Sequence, residues 1–395
     1  MAIFTQRSNP LFTIILLALS AYAFYATWGI SLIDGTLGHM LAIRGAKIPL
    51  IPGTHEPLRL HFTGIPPIDY WYTIMVLFFW EAVDGSHPAT SLTGIYFLGQ
   101  LVAVWTLIYV EGNRISNQGL TVAKTLLWTL LMQNLTLACF GPIYFVIHLA
   151  VSPMLSSSSS TKESPTKLSN ATKYLQYLPL SITLGYIVPS IFIGLPAPTI
   201  QSYASQQAAI AVWTPFPAWV ALFQVLLTWC DSKLSSSSTV GRSETSKAYQ
   251  AALRRVYIFA ITGSAFIHIG TITTSMSTVL FPAVYSPIIR SEFAPAHLLF
   301  PDNASVDTIG AGVLTFMQWD QWIGYTAVLA WALKLLWEVR AFAGAAFVTR
   351  VWQVLETVGT TLLLGPGSAA VLLIWKRDET AWAGEQRPEK ATGGF

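Results

Sequence analysis

The residues of this sequence best suited to chemistry lie in the stretch Phe79-Trp80-Glu81-Ala82-Val83-Asp84-Gly85-Ser86-His87-Pro88, which ends an apolar run at 72–79. Glu81 and Asp84 are three residues apart, so on a continuing helix they share a face. Two carboxylates that close resist ionising together, and a helix C-terminus disfavours negative charge. The pair is expected to keep one proton near neutrality, which is what a general acid requires. Glu81 and Asp84 are therefore the catalytic candidates, with Trp80 and His87 beside them as substrate-binding candidates. The competing expectation is a solvated helix end, which the break at Gly85 favours.

Other polar residues interrupt apolar runs and need partners for the same reason. Asp69 opens the same helix before Tyr70-Trp71-Tyr72, as a substrate contact or as an ordinary cap. Glu111, Asn113 and Arg114 close the next run, as an interfacial ion pair or as a site for the polar head of a substrate. Asn134, beside Gln133, falls in mid-run. Asp320 stands between Trp319 and Trp322 at the start of a late run. Tryptophan there fits an interfacial belt, yet aromatic faces also stabilise cations, and the chain carries 15 Trp, 15 Tyr and 21 Phe. His268, among Thr271, Thr273, Thr274 and Ser275, reads as a packed core histidine. Glu338 with Arg340 reads as an interfacial pair.

The elements that must position these residues are apolar helices. Of the 395 residues 53% are hydrophobic and 10% charged, and the mean hydropathy is +0.52. Soluble chains carry about 25% charged residues. The fold class expected is an all-α polytopic membrane protein, a single-domain bundle of eight or nine transmembrane helices. The candidate spans are 11–30, 68–83, 92–110, 125–151, 174–195, 208–230, 256–280, 322–338 and 352–375. The first is too long for a cleaved signal h-region. Kinks are expected at Pro142, Pro189 and Gly365-Pro366-Gly367.

Residues 31–68, rich in Gly and Pro and carrying His55, His61 and Phe62, are expected to form an ordered loop over one mouth of the bundle. Two Ser-rich basic stretches, 156–173 and 232–255, read as flexible linkers, cytoplasmic by their Lys and Arg (Lys162, Lys167, Lys173; Lys233, Arg242, Lys247, Arg254, Arg255). Nine spans then give a cytoplasmic N-terminus and a lumenal C-terminus, against which the basic residues Lys376, Arg377, Arg387 and Lys390 argue.

Composition and motif also exclude. The net charge of +3 carries no nucleic-acid signal. Cys139 and Cys230 both sit in apolar runs, so neither a disulfide framework nor a cysteine zinc site is expected. No DDxxD or NDxxD pattern is present for Mg²⁺-diphosphate prenyl chemistry, and no DxDD motif occurs either. The seven histidines form no clustered boxes, and there is no phosphate loop or dinucleotide fingerprint. No cofactor or metal is expected.

The block from Trp80 to Arg114, WEAVDGSHPATSLTGIYFLGQLVAVWTLIYVEGNR, resembles the fungal integral-membrane terpene cyclases of meroterpenoid pathways, of the ascofuranone-cyclase type. Pro52-Gly53-Thr54-His55-Glu56-Pro57 and Ile68-Asp69-Tyr70-Trp71 fit the same family, and the likeness is best over the N-terminal third. It implies an enzyme of the endoplasmic reticulum membrane that cyclises the prenyl chain of a hydrophobic meroterpenoid. Protonation of a terminal epoxide or olefin would start the reaction, without metal. Its partners would be that prenylated small molecule and the lipid bilayer. A transporter for a hydrophobic metabolite and a non-catalytic multispan receptor or scaffold are the alternatives, although no internal repeat supports the first. Three glycosylation sequons test the orientation. Asn303 is expected to carry a glycan, and Asn134 and Asn170 none, read as a glycosidase-sensitive mass shift lost in Asn303→Gln. Sugar on Asn170 would invert the topology.

Overall fold

The computed structural model describes residues 10–153, 165–234, 242–339 and 346–385. Residues 156–164 and 235–241 of the two Ser-rich stretches, Lys162 among them, and Arg340, Arg387 and Lys390 lie outside the described residues. Within them the fold is all-helical, and a single antiparallel bridge, Leu50 with Pro57, is the only β pairing. The helices are α1 (Pro10–Ile33), α2 (Thr36–Gly45), α3 (Pro66–Val83), α4 (Pro88–Gly112), α5 (Thr125–Leu135) and α6 (Leu137–Val151). They continue as α7 (Thr166–Ile193), α8 (Tyr203–Trp213), α9 (Phe216–Leu234), α10 (Arg242–Leu280), α11 (Pro287–Glu292) and α12 (Pro295–Leu299). The last three are α13 (Ile309–Trp337), α14 (Phe347–Leu364) and α15 (Pro366–Glu385).

Eight or nine spans is too many. Four helices are long and apolar enough to cross a membrane, namely α1, α4, α7 and Glu244–Leu280 of α10; α8 with α9, bent by 68°, makes a fifth if counted as one. The other expected spans are interrupted or diluted. Residues 125–151 break at Thr136 rather than kink at Pro142, which α6 accommodates in its interior. Residues 352–375 break at Gly365, whose φ of 88° suits a residue without a Cβ. Helices α3 and α13 carry Asp69 and Glu81, and Gln318, Asp320 and Gln321. Pro189 cannot donate to the carbonyl of residue 185, and α7 widens into a π-turn over Thr183–Ile187 just before it.

The helices also reach into the Ser-rich stretches, because 166–173 begins α7 and 242–255 begins α10. Residues 46–65 are irregular but tied down. Ile51 N–H donates to Glu56 O and Leu58 N–H to Pro49 O, both at 2.9 Å, and Arg59 N–H donates to Gln207 Oε1 at 2.7 Å.

At the centre stand α4 and α13. Every residue from Gly99 to Gly112 is buried, and α13 is buried on nearly all sides. It packs on α3, α4, α6 and α15. A helix apolar all round belongs to a core. Thr90 Oγ1 donates to Gly310 O at 2.9 Å and Tyr325 OH to Phe97 O at 3.0 Å, so α4 and α13 run side by side in the same direction. Outward faces are apolar, as at Leu11, Phe266 and Leu362, which are 64%, 75% and 72% exposed.

Gly185, in the α7 π-turn, lets α7 meet α9 backbone to backbone: a Cβ there would lie 2.5 Å from Val220 N. Gly185→Ala must push the two helices apart, and overpacking of this kind costs about 1–3 kcal/mol. The expected outcome is a lower unfolding midpoint in detergent; an unchanged midpoint would contradict this packing.

Candidate functional site

An apolar cavity of about 290 Å³ opens between α1, α3, α4, α5, α6, α7, α8 and α13. Along α4 it is lined from Ser91 to Trp105, which at 1.5 Å per residue is about 21 Å. Trp28, Phe78, Phe79, Trp105, Trp213 and Phe316 supply aromatic walls. Phe316 meets Trp28 and Phe78 edge-on at 5.2 and 5.0 Å, and Phe79 meets Trp213 at 4.9 Å. Edge-on packing directs ring faces and edges at several angles, so a cation held there would meet negative faces.

Asp320 is the one ionisable side chain that lines this cavity among the described residues. It lies inside α13, not at a helix start, and is 4% exposed. Opposite it the chain turns from α5 into α6 at Thr136, a β-branched residue with φ of 78°; such backbone costs about 1–3 kcal/mol. The turn exposes the first N–H groups of α6, which have no partner within their own helix. Thr136 Oγ1 accepts the Cys139 N–H at 3.1 Å, and Asp320 Oδ1 accepts the Ala138 N–H at 2.7 Å. Burial raises the Asp320 carboxyl to about 7, opposed by these donors of the α6 start.

Of the residues singled out in the sequence, Asn134 also lines the cavity. Its Oδ1 accepts the Trp71 indole N–H at 2.7 Å and its Nδ2 donates to Leu130 O at 2.8 Å. Glu81, Asp84, Trp80 and His87 do not line it, although Ala82, Val83 and Gly85 do. The two carboxylates turn to different partners. Glu81 Oε2 accepts the Gly310 N–H at the start of α13, and His87 Nδ1 lies 3.9 Å away. Asp84 Oδ1 accepts from the N–H and hydroxyl of Ser86 at 2.8 and 2.6 Å. Ser86 Oγ, its one proton given to Asp84, accepts from His87 Nδ1 at 2.9 Å. His87 Nε2 then accepts from Thr308 Oγ1 at 2.9 Å. This chain clasps the α3–α4 turn to the N-cap of α13. A Cβ at Gly310 would lie 2.6 Å from the His87 ring, so the clasp needs that glycine. Trp80 is fully buried with its ring 5.9 Å from Tyr203.

Asp69 caps the loop before its helix rather than the helix itself. Its carboxylate accepts N–H groups of Phe62, Thr63 and Gly64 and the Thr63 hydroxyl at 2.7–3.1 Å. Burial acts to raise it, but these donors win and hold it at about 2.

Glu111 and Arg114 belong to a buried ion network at the far end of α4. Arg114 donates to Glu111 Oε1 and Asp378 Oδ2 at 2.7 and 2.8 Å. Arg377 donates to Glu111 Oε1 and Asp378 Oδ1 at 2.6 and 2.8 Å. Tyr257 OH donates to Asp378 Oδ2 at 2.7 Å, and His148 Nε2 lies 3.4 Å from Glu111 Oε2. Two cations and two anions balance. Asn113 Nδ2 donates to Tyr109 O and Tyr174 OH. None of these residues lines the aromatic cavity. His268 bridges Tyr96 OH and Leu362 O, and Glu338 pairs with Lys334 at 3.0 Å.

Sequence reasoning missed the cavity walls, since no spacing marks Phe79, Trp105 and Trp213 as neighbours. It also missed Thr136. The signal present was Asp320 itself, an acid in a run of buried apolar residues.

A family model described as the CtvD domain matches residues 12–382. The chain is similar to the terpene cyclase ctvD of Aspergillus terreus, 30% identical over 366 residues that cover 92% of this chain and 98% of that protein. It is similar to the terpene cyclase penA of Penicillium crustosum, 27% identical over 91% of this chain and 94% of that protein. It is also similar to the terpene cyclase ascI of Acremonium egyptiacum, 26% identical over 81% and 80%. No solved structure matches it.

Breaking a buried ion network by removing one partner costs about 3–5 kcal/mol. Arg377→Met is expected to lower folded yield and unfolding midpoint by that order while the folded fraction binds cavity ligands normally. An unchanged midpoint would show the network to be dispensable.

Proposed function

The chain belongs to the CtvD domain family, and from that premise we propose that it cyclises a terpenoid in its aromatic cavity, started by a proton from Asp320. Three curated relatives carry the printed name terpene cyclase. The substrate is a hydrophobic prenylated molecule, a meroterpenoid whose chain ends in an epoxide or an olefin. The enzyme is embedded in the endoplasmic reticulum membrane with its N-terminus in the cytoplasm. Its four or five apolar helices and the exposed apolar faces of α1, α10 and α14 support the membrane setting, and the basic Ser-rich stretches support the orientation.

The observation that carries the reading is the single ionisable group in an otherwise apolar, aromatic cavity. Protonation of an epoxide or olefin needs a carboxylic acid that is still protonated, and Asp320 is held so by burial. The resulting carbocation needs surroundings that do not quench it. Indole and phenyl faces offer attraction of about 2 kcal/mol or more when desolvated and no nucleophile. Ser91 Oγ and Trp28 Nε1 in the wall lack a protein partner and can hydrogen-bond an oxygen of the substrate. No metal is assigned a role, and the sequence has no acidic diphosphate-binding motif.

Glu81 and Asp84, the acids favoured by spacing, take a supporting part in this proposal. Gly310 and Asp320 are ten residues apart on α13, about 15 Å, so Glu81 fixes the helix that carries the acid from a distance. Microsomes holding the full chain, incubated with epoxidised prenyl phenols, test the assignment. Asp320→Asn is expected to lower product at least a hundredfold at unchanged protein level, whereas Glu81→Gln and Asp84→Asn stay within about tenfold of wild type, general acid catalysis being worth about 10²–10⁴. The reverse pattern would move the acid to the end of α3.

A further inference from the structure

Cyclisation through a carbocation has a second proton step, and the cavity is explicit about what is present to perform it. When the last cation is quenched, a C–H or O–H bond of the substrate must break and its proton must go somewhere. Besides the indole N–H groups, which only donate, the side chains that line the cavity with polar atoms are Ser91, Gln133, Asn134, Thr136, Ser190 and Asp320. Asn134 is engaged at both ends of its amide. Ser190 Oγ donates to Tyr186 O and accepts the Trp213 indole N–H. Thr136 Oγ1 receives the Cys139 N–H. Hydroxyls and amides are in any case feeble bases. No histidine, glutamate, lysine, arginine or tyrosine lines the cavity among the described residues.

We propose that Asp320 both opens and closes the reaction, giving its proton to the substrate and taking back the one the final cation loses. This rests on the cavity being the cyclisation site. With an epoxide, the Asp320 O–H proton passes to the epoxide oxygen as a C–O bond breaks, and that bond's electron pair stays on oxygen as a hydroxyl. The cation is attacked by a chain double bond, whose π pair becomes the new C–C bond. Beside the final cation a C–H bond then breaks, its electron pair becomes a C=C bond, and the proton returns to the Asp320 carboxylate. The sum is an isomerisation: no water enters, no redox partner is needed, and the acid is ready for the next turnover.

A geometric demand follows. The oxygen protonated first and the hydrogen removed last must both come within about 3 Å of one carboxyl. In a slot about 21 Å long the prenyl chain is therefore doubled back at Asp320 rather than stretched past it. The substrate class is one whose first-protonated and last-deprotonated positions converge after folding. The Asp320 carboxyl faces the start of α6, which steadies the carboxylate present between the two steps. Other ionisable groups whose charge reaches Asp320 are Cys139 on α6 and Tyr325 on α13. Both belong to classes that titrate above pH 8 in water. Helices α1, α3, α4, α5, α7 and α8 present none to the cavity.

The shape of the wild-type pH profile tests this without any variant. In microsomes holding the full chain, with a farnesyl phenol bearing a terminal epoxide as the probe, kcat/KM should be flat below about pH 6 and fall about tenfold per pH unit on the alkaline side, as for one essential protonated acid. A bell-shaped profile, with an acid limb that Glu81→Gln removes, would overturn the proposal in favour of a separate base. Asp320→Glu provides a second readout, because moving the carboxyl by one methylene should shift part of the product to double-bond isomers. Turnover of that variant to the wild-type product alone would count against the shuttle, as would solvent oxygen-18 in the wild-type product. Should Asp320→Glu be inactive, the pH profile and the oxygen-18 result decide. Full activity of Asp320→Asn would instead remove the parent reading of Asp320 as the acid.

Discussion

A buried carboxyl group in the wall of an aromatic-lined cavity is the constraint on which the rest of this structure turns. Burying an ionised carboxylate without a partner is costly enough that the group neutralises instead, and Asp320 has no cation beside it. What it has is the start of α6, made available by a break at Thr136 that puts a threonine into left-handed backbone. The strain of that turn, the N–H donors it releases and the burial of α13 belong to one arrangement. Remove the break and α5 runs on into α6 with every N–H satisfied internally, leaving Asp320 facing closed backbone.

The other buried charges of the described residues do not line this cavity. Glu111, Arg114, Arg377 and Asp378 form a balanced cluster at the opposite end of α4, joined by Tyr257 and close to His148. Its cost is met by mutual pairing, and it ties α15 to α4. At the near end, Glu81 and His87 clasp the α13 start through Gly310 and Thr308. The two polar anchors fix both ends of the central helices, and between them the cavity carries one acid. The proposed reaction depends on that separation, since a cation near Asp320 would hold it ionised.

The all-helical class was legible, because 10% charged residues in 395 and long apolar runs point to apolar helices. The interruptions were less legible. Proline marks where a helix loses a donor, and Pro142 was the expected kink, yet the break falls at Thr136, which nothing in the local pattern distinguishes. Span number failed for the same reason: α5, α6, α14 and α15 look continuous as strings of apolar residues until backbone torsions are known. The site was half legible. Polar residues in apolar runs were singled out, and two of them, Asp320 and Asn134, line the cavity. Spacing favoured Glu81 with Asp84, but i, i+3 neighbours share a face only while the helix continues. Here it ends at Val83, and the two carboxylates separate to Gly310 and Ser86. The cavity walls come from eight helices, and no single-chain periodicity reports that convergence.

The central claim is that Asp320 holds a proton in the resting protein, and infrared difference spectroscopy of the detergent-solubilised full chain reads that directly. The account predicts a carbonyl stretch of a protonated carboxylic acid at pH 6. That band should fade as the pH rises through about 7 and be missing from Asp320→Asn. A band that survives in Asp320→Asn, or no such band in wild type at pH 6, would contradict it.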